Sequence, residues 1–422
     1  MKSLLKQIKN EWRSNLFLFV ELLLVFAVLW YIVDMTTVTA RVYNAPMGFD
    51  TDHCYNIAID KLTSKAAAYN PAITADEDME HLLQLTERLR HHPGVEAVAI
   101  SQNCFPYNEG SNSMSIGVDT TMMEARLYWA GPGFFRLFRY TAADGSAPDK
   151  MDEALNNNQL VISSNLTDGY PALGMKDATS LLGTDVALWK QKSEERRRVG
   201  AVGAPVRWSH FYTTHEWGGA YIAAALTIDN LKEFGDPRYI NVSVRVTPEE
   251  DHDFGTRLMD AADRLYQVGN LYLLDITSYK DLRHQCELED MNDLKTRLCV
   301  LGFLLMNIFL GVIGTFWFRT QHRRREVALR IAMGSSRRGI FSRLMGEGLI
   351  LLTLATIPAA IIALNVGFAE LVDVTKLPFD TGRFLLGVLL TWLLMALMII
   401  GGIWYPASKA MKVQPAEALH DE

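Results

Sequence analysis

Ten histidines, four cysteines and 48 acidic residues supply the side chains that could hold a metal or activate a nucleophile. Their spacing argues against most such uses. His210 and His215 stand five apart beside Glu216, a set that could ligate a metal, although a solvated loop explains the same residues more simply. No HExxH or CxxC pattern occurs, and in Gly334-Ser335-Ser336-Arg337-Arg338-Gly339 both serines miss the middle position of GxSxG. A Gly-Lys dipeptide is absent, so no GxxxxGK[ST] loop can cradle nucleotide phosphates, and the chain cannot hydrolyse ATP by a P-loop mechanism on its own. Cys54, Cys104 and Cys286 lie outside the apolar runs while Cys299 begins one, which leaves at most one disulfide, with Cys54 to Cys104 as the candidate. Asn165-Leu166-Thr167 and Asn241-Val242-Ser243 match a glycosylation pattern by spacing only. The expectation is a non-catalytic chain with no catalytic residue, no metal and no cofactor.

The elements that would position any such residues divide sharply by charge. The whole chain has 41 Lys and Arg against 48 Asp and Glu; residues 34 to 297 carry 25 and 38 of these, a net of −13, so the ends are basic and apolar. That distribution removes the electrostatic footprint of a nucleic-acid-binding protein. Leu16 to Val33 is an apolar run broken only by Glu21, just long enough to cross a bilayer. A signal peptide is the rival for this run, but the run is too long for one. Further apolar runs cover 298–318, 344–369 with Pro358 inside, and 384–405, giving four predicted spans. Lys2, Lys6, Lys9 and Arg13 precede the first span, and Arg319, Arg323, Arg324, Arg325, Arg330, Arg337, Arg338 and Arg343 follow the second. The positive-inside rule therefore puts both termini in the cytoplasm and residues 34–297 outside, a one-plus-three topology.

Residues 1–15 read as a cytoplasmic interfacial helix, with Leu4, Leu5, Ile8 and Trp12 on one face. In the outer domain, period-2 runs at 54–62 and 95–100 flank an amphipathic helix at 76–91, and a strand, helix and strand recur at 239–246, 248–266 and 271–276. Two βαβ units so far apart predict one split α+β subdomain, about 50–119 with 236–280, and a β-rich subdomain inserted at about 120–235. Residues 281–297 have helical spacing and no breaker, so they read as a stalk helix continuous with the second span. A cytoplasmic loop at 319–343, a short loop at 370–383 and a tail at 406–422 complete the chain. The fold expected is a membrane protein with four transmembrane α-helices and a large extracytoplasmic α+β domain.

The cytoplasmic loop carries the most specific pattern. Glu326 and Arg330 are four apart in the favourable order, Gly334 suits a helix C′ position, and Ser335 or Ser336 can cap a following helix. One reading is a loop whose charge only fixes topology; the other, suggested by Val327, Leu329 and Ile331, is a short helix that docks a partner. Glu326-Val327-Ala328-Leu329-Arg330-Ile331-Ala332-Met333-Gly334-Ser335-Ser336 resembles the E-I-x-x-R-x-A-x-G-A-S signature of the MacB/FtsX-type ABC transporter permeases. Val413-Gln414-Pro415-Ala416-Glu417-Ala418-Leu419 is similar to the P-x-E-A-L ending of the same proteins, and the two motifs together cover roughly 295–420. Gly133-Phe134-Phe135-Arg136-Leu137-Phe138 and Leu181-Leu182-Gly183 are similar to turns of the MacB-type periplasmic domain. Val327 and Met333 depart from the commoner family residues, and the middle of the outer domain matches poorly.

The resemblance implies a permease subunit without a fused ATPase, working by mechanotransmission in a bacterial inner membrane. A separate ABC ATPase subunit would dock on Arg323, Arg324, Arg325, Glu326, Arg330 and Gly334. Two permease subunits would pair as a homodimer or heterodimer, with a periplasmic adaptor and an outer-membrane channel as further candidate partners. Efflux or extraction of a substrate is the leading function; an FtsX-like subunit that switches a periplasmic partner without transport is the alternative. A membrane receptor without ATPase coupling is a third reading, and it leaves the loop signature unexplained. Glu21 is a carboxylate within a span, to be paired, protonated or held near the headgroups.

Overall fold

In the computed structural model of the chain, residues 12–190, 192–322, 333 and 336–410 are described. They form two compact units: a membrane unit, Met1–Arg41 with Met291–Glu422, and a soluble unit, Val42–Asp290.

Helix α1 (Trp12–Tyr43) begins the chain's described part; after the soluble unit's elements come three more long helices, whose ranges are Leu288–His322, Arg337–Phe368 and Thr381–Ala410. Among the described residues, four segments are long and apolar enough to cross a membrane: Leu16–Tyr43, Leu288–Gly311, Arg338–Phe368 and Thr381–Tyr405. On α1 the buried positions Leu18, Leu22, Phe26, Leu29 and Val33 recur every three or four residues, which puts them on one face. They share a core with Leu351, Leu352, Ala355, Ala359 and Ala363 of the third span and Met395, Ala396, Ile399 and Ile403 of the fourth. The alanines are four apart, and small residues so placed let helices approach closely where no hydrophobic force separates protein from lipid. The opposite face of α1 exposes Phe17, Leu24 and Val28. Pro358 lies inside its helix, which continues to Phe368. The predicted interfacial helix falls outside the described residues over positions 1–11, as do the loop at 323–332 and the tail from 411.

Among its described residues the soluble unit has ten strands: β1 (Cys54–Lys61), β2 (Val95–Gln102), β3 (Asn112–Val118), β4 (Thr121–Ala130), β5 (Leu160–Ser163), β6 (Asp185–Leu188), β7 (Arg196–Gly203), β8 (Tyr221–Ala225), β9 (Asn241–Val246) and β10 (Leu271–Ser278). Its helices are α2 (Ala75–Arg90), α3 (Phe134–Leu137), α4 (Asp149–Asn156), α5 (Ile228–Phe234), α6 (Phe254–Asp260), α7 (Ala262–Leu265) and α8 (Tyr279–Cys286), so the three long helices named above are α9, α10 and α11. The order β10-β1-β9-β2 makes an antiparallel sheet, on which α2 buries Met79, Leu82, Leu85 and Leu89. Thr74 starts α2 with a full capping box to Glu77, an arrangement worth about 1 kcal/mol. The remaining strands run β4-β3-β6-β7-β5-β8, and β8 pairs back onto β4 in parallel, closing a six-stranded barrel. Met114, Ile116, Met123, Leu160, Ile162 and Ile222 are among its buried interior residues. The register pairs Ser101↔Ala130 and Gln102↔Trp129 join β2 of the sheet to β4 of the barrel.

Three features differ from the sequence reading. β3 pairs with β4 and β6, so the barrel strands start at Asn112 instead of near 120. The stretch 248–266 is not one helix, because Asp253 takes a left-handed φ of 54° and α6 starts only after it. The stalk is not continuous from 281: α8 ends at Cys286, Glu287 caps it, and α9 starts at Leu288.

All four cysteines are free. Burial pushes the Cys54 and Cys104 thiols up to about 12, which leaves almost no thiolate at neutral pH. A maleimide at pH 7.5 is therefore expected to leave both unmodified in the native protein and to label both in denaturant. Native labelling at the rate of a free thiol would contradict this burial.

Candidate functional site

The expected ATPase-docking residues, Arg323, Arg324, Arg325, Glu326, Arg330 and Gly334, lie outside the described residues. Immediately after them, Ser336 caps α10 by accepting from the Gly339 amide at 3.1 Å. Glu21 lies on α1 facing α9: a β-carbon placed on Gly311 would stand 2.7 Å from its Oε1. A glycine there lets the carboxylate lie against backbone. His210 and His215 do not converge on a metal. The first contacts Glu287 at 2.6 Å, the second lies 3.7 Å from Asp168, and no group of metal-ligating side chains occurs among the described residues.

Two clamps, neither of them foreseen from the sequence, organise the units. In the membrane unit, Arg383 at the start of α11 donates to both carboxylate oxygens of Asp34, at 2.8 and 2.6 Å, with side chains 3% and 1% exposed. The same guanidinium donates to the carbonyls of Asp373 and Leu377 in the loop before α11 and lies over the Phe379 ring. This fixes α1, that loop and α11 to one another.

In the soluble unit, Arg207 is 3% exposed and sits at the C-terminal end of α1. Its Nη1 donates to the Val42 carbonyl at 2.5 Å, its Nε to Pro46 at 2.9 Å and its Nη2 to Ala45. The last carbonyls of a helix lack partners within it, and a cation there also meets the negative end of the helix dipole. Three residues on, His210 places its backbone amide 2.9 Å and its Nδ1 2.6 Å from Glu287 Oε1, and Arg283 Nε donates to Oε2 at 3.1 Å. Arg283 also donates to the Tyr43 hydroxyl at 2.7 Å. Between these anchors, Trp208 lies under the Arg126 guanidinium of β4 at 4.2 Å. Segment 206–212 thus touches the end of α1, the break before α9 and the barrel. It carries no periodicity and no motif, so only its partners, distant in sequence, reveal it.

Burial alone would raise the Glu287 carboxyl, but the His210 and Arg283 hydrogen bonds outweigh it and hold the group below its usual range. A carboxyl depressed in the folded state adds stability that is full above its unfolded value, near 4.5, and lost as pH falls through the lower folded value. The melting temperature of the soluble unit should therefore drop as pH falls below about 4.5, and Glu287→Gln should flatten part of that drop. An unchanged slope in the variant would contradict the assignment.

A cavity of about 520 Å³ opens beside the barrel, lined by Glu124, Asp168, Tyr170, His215, Glu216 and Trp217 among others.

Residues 298–415 match the FtsX-like permease C-terminal family model. That stretch takes in the last three spans and the loop signature. Over that stretch, and over no other part of the chain, the sequence is similar to FtsX-like permeases. No curated protein matches the chain. Among solved structures it is similar to the crystal structure of the extracellular domain of the noncanonic ABC-type transporter YknZ from Gram-positive bacteria, at 18% identity and a TM-score of 0.30, covering 52% of this chain and 100% of that one. A TM-score that low leaves the fold to be argued from the strands themselves.

Proposed function

We propose that this chain is the transmembrane subunit of an ABC machine of the MacB-like mechanotransmission type. A separate ATPase docks on the 319–343 loop, and its nucleotide-driven closure is passed along the first span and the stalk to a domain on the far side of the bacterial inner membrane. There the motion drives efflux or extraction of a substrate. The FtsX-like domain match over the last three spans carries the reading, because it includes the loop signature. The size of the soluble unit, Val42–Asp290, favours substrate handling over the small switching domain of an FtsX-like activator. Both termini are cytoplasmic in this reading, and a second permease subunit completes the pair. The test is purification of the tagged chain from native membranes in mild detergent, with mass spectrometry of what co-elutes. A stoichiometric P-loop ATPase is expected, and a chain that elutes alone contradicts the proposal. Co-elution of a periplasmic hydrolase instead of an adaptor would move the reading to the switching alternative.

A further inference from the structure

We propose that segment 206–212 is the transmission strap of this machine, and that Arg207, Trp208 and His210 are positioning residues that carry helix motion to the barrel. The inference rests on the coupling function proposed above and adds the route by which motion reaches the barrel. Arg207 is locked to the carbonyls of Val42, Ala45 and Pro46, where α1 ends. His210 is locked to Glu287, the residue that interrupts the helix between α8 and α9. A helix break is where a rigid rod can bend, and here the break is held by a buried carboxylate whose two oxygens both accept hydrogen bonds. Trp208, between those anchors, stacks under Arg126, which is itself 4% exposed and also donates to the Gly110 carbonyl at 3.1 Å. Arg126 belongs to β4, the strand that pairs with β2 of the sheet and with β3 and β8 of the barrel. Gly48 adds a third constraint. With a φ of +87°, its missing side chain lets the chain after α1 pass against the Pro205 carbonyl, where a β-carbon would stand at 2.6 Å. A displacement of α1 or α9 therefore pulls the strap, which leads on from β7, and the strap pulls on the barrel through the Trp208–Arg126 contact with β4 and through the Val206 amide, which donates to the Gly219 carbonyl at 3.2 Å just before β8. Such a contiguous set of buried hydrogen bonds and one stacked pair is the physical form that coupling between distant elements takes.

The test uses the complex purified from native membranes with its ATPase. Hydrogen–deuterium exchange is compared with and without a non-hydrolysable ATP analogue, for wild type, Trp208→Ala, Trp208→Phe and Glu287→Gln. In wild type, nucleotide should change exchange both in 288–410 and in the barrel strands at 112–225. Trp208→Ala should keep ATPase co-elution, hydrolysis and the 288–410 response, and lose at least about fivefold of the barrel response; Trp208→Phe, which keeps an aromatic face under Arg126, should restore most of it. Glu287→Gln should likewise weaken the barrel response, and it carries the test if Trp208→Ala melts below the assay temperature. A barrel response unchanged in folded Trp208→Ala and Glu287→Gln overturns the strap while leaving the coupling function standing. A wild-type complex that lacks an ATPase, or whose 288–410 region ignores nucleotide, overturns the coupling function and the strap with it.

Discussion

Asp34→Ala is expected to destabilise the membrane unit by about 3–5 kcal/mol, because it leaves the Arg383 guanidinium buried without its counter-ion. The pair is bidentate and almost fully enclosed, so solvent cannot replace the lost carboxylate. The remaining partners of Arg383, the Asp373 and Leu377 carbonyls, are dipoles and not charges, and cannot neutralise it. Removing both charges is expected to cost less: Asp34→Leu with Arg383→Leu should recover a large part of the single-variant loss, since a buried ion pair often breaks even against apolar residues of similar size. Thermal unfolding of the detergent-solubilised chain, run as a double-mutant cycle, measures this directly. A loss in Asp34→Leu with Arg383→Leu equal to the sum of the losses in Asp34→Leu alone and Arg383→Leu alone would show that the pair contributes no coupling energy.

Glu326→Arg is the second large effect, expected to abolish ATPase association while leaving membrane insertion intact. Glu326 is the single acidic residue among the eight arginines between positions 319 and 343. In the helix the sequence predicts there, it stands one turn before Arg330 in the favourable order for a supporting ion pair. Reversing its charge places four consecutive arginines at 323–326, removing both that pair and the one carboxylate a partner could recognise. Co-purification should fall to background while protease protection of the soluble domain stays at the wild-type level. Undiminished co-purification would sink the docking assignment.

How much of this was legible in the sequence depended on whether the cause of a feature lay near it in the chain. The four spans were, since a bilayer demands an uninterrupted apolar run of fixed length, and Leu16–Val33 supplies one. Helix α2 was also legible, because Met79, Leu82 and Leu89 keep helical spacing, while the Thr74 to Glu77 capping box that starts it emerged only in the structure. The break at Glu287 was not. Residues 281–297 contain neither Gly nor Pro, and what interrupts the helix is a carboxylate captured by His210, far away in sequence. Arg207 and Arg383 were hidden for the same reason: one serves carbonyls about 160 positions upstream, the other a carboxylate at Asp34, and no local pattern records such partners. The barrel's early start at Asn112 depended on strand pairing between β3 and β6, which alternation alone does not reveal. Of the candidate site residues, Glu21 could be placed beside Gly311, whereas the docking set at 323–334 rests on its motif.

On the proposed function, this chain does no ATP chemistry itself and harnesses a separate ATPase. The most direct measurement is ATP hydrolysis by the material held on a tag on this chain, purified from native membranes, compared with the same chain produced where no partner is present. The account predicts steady ATP turnover in the first and none in the second. Turnover by the isolated chain, or its absence from the native complex, would contradict it.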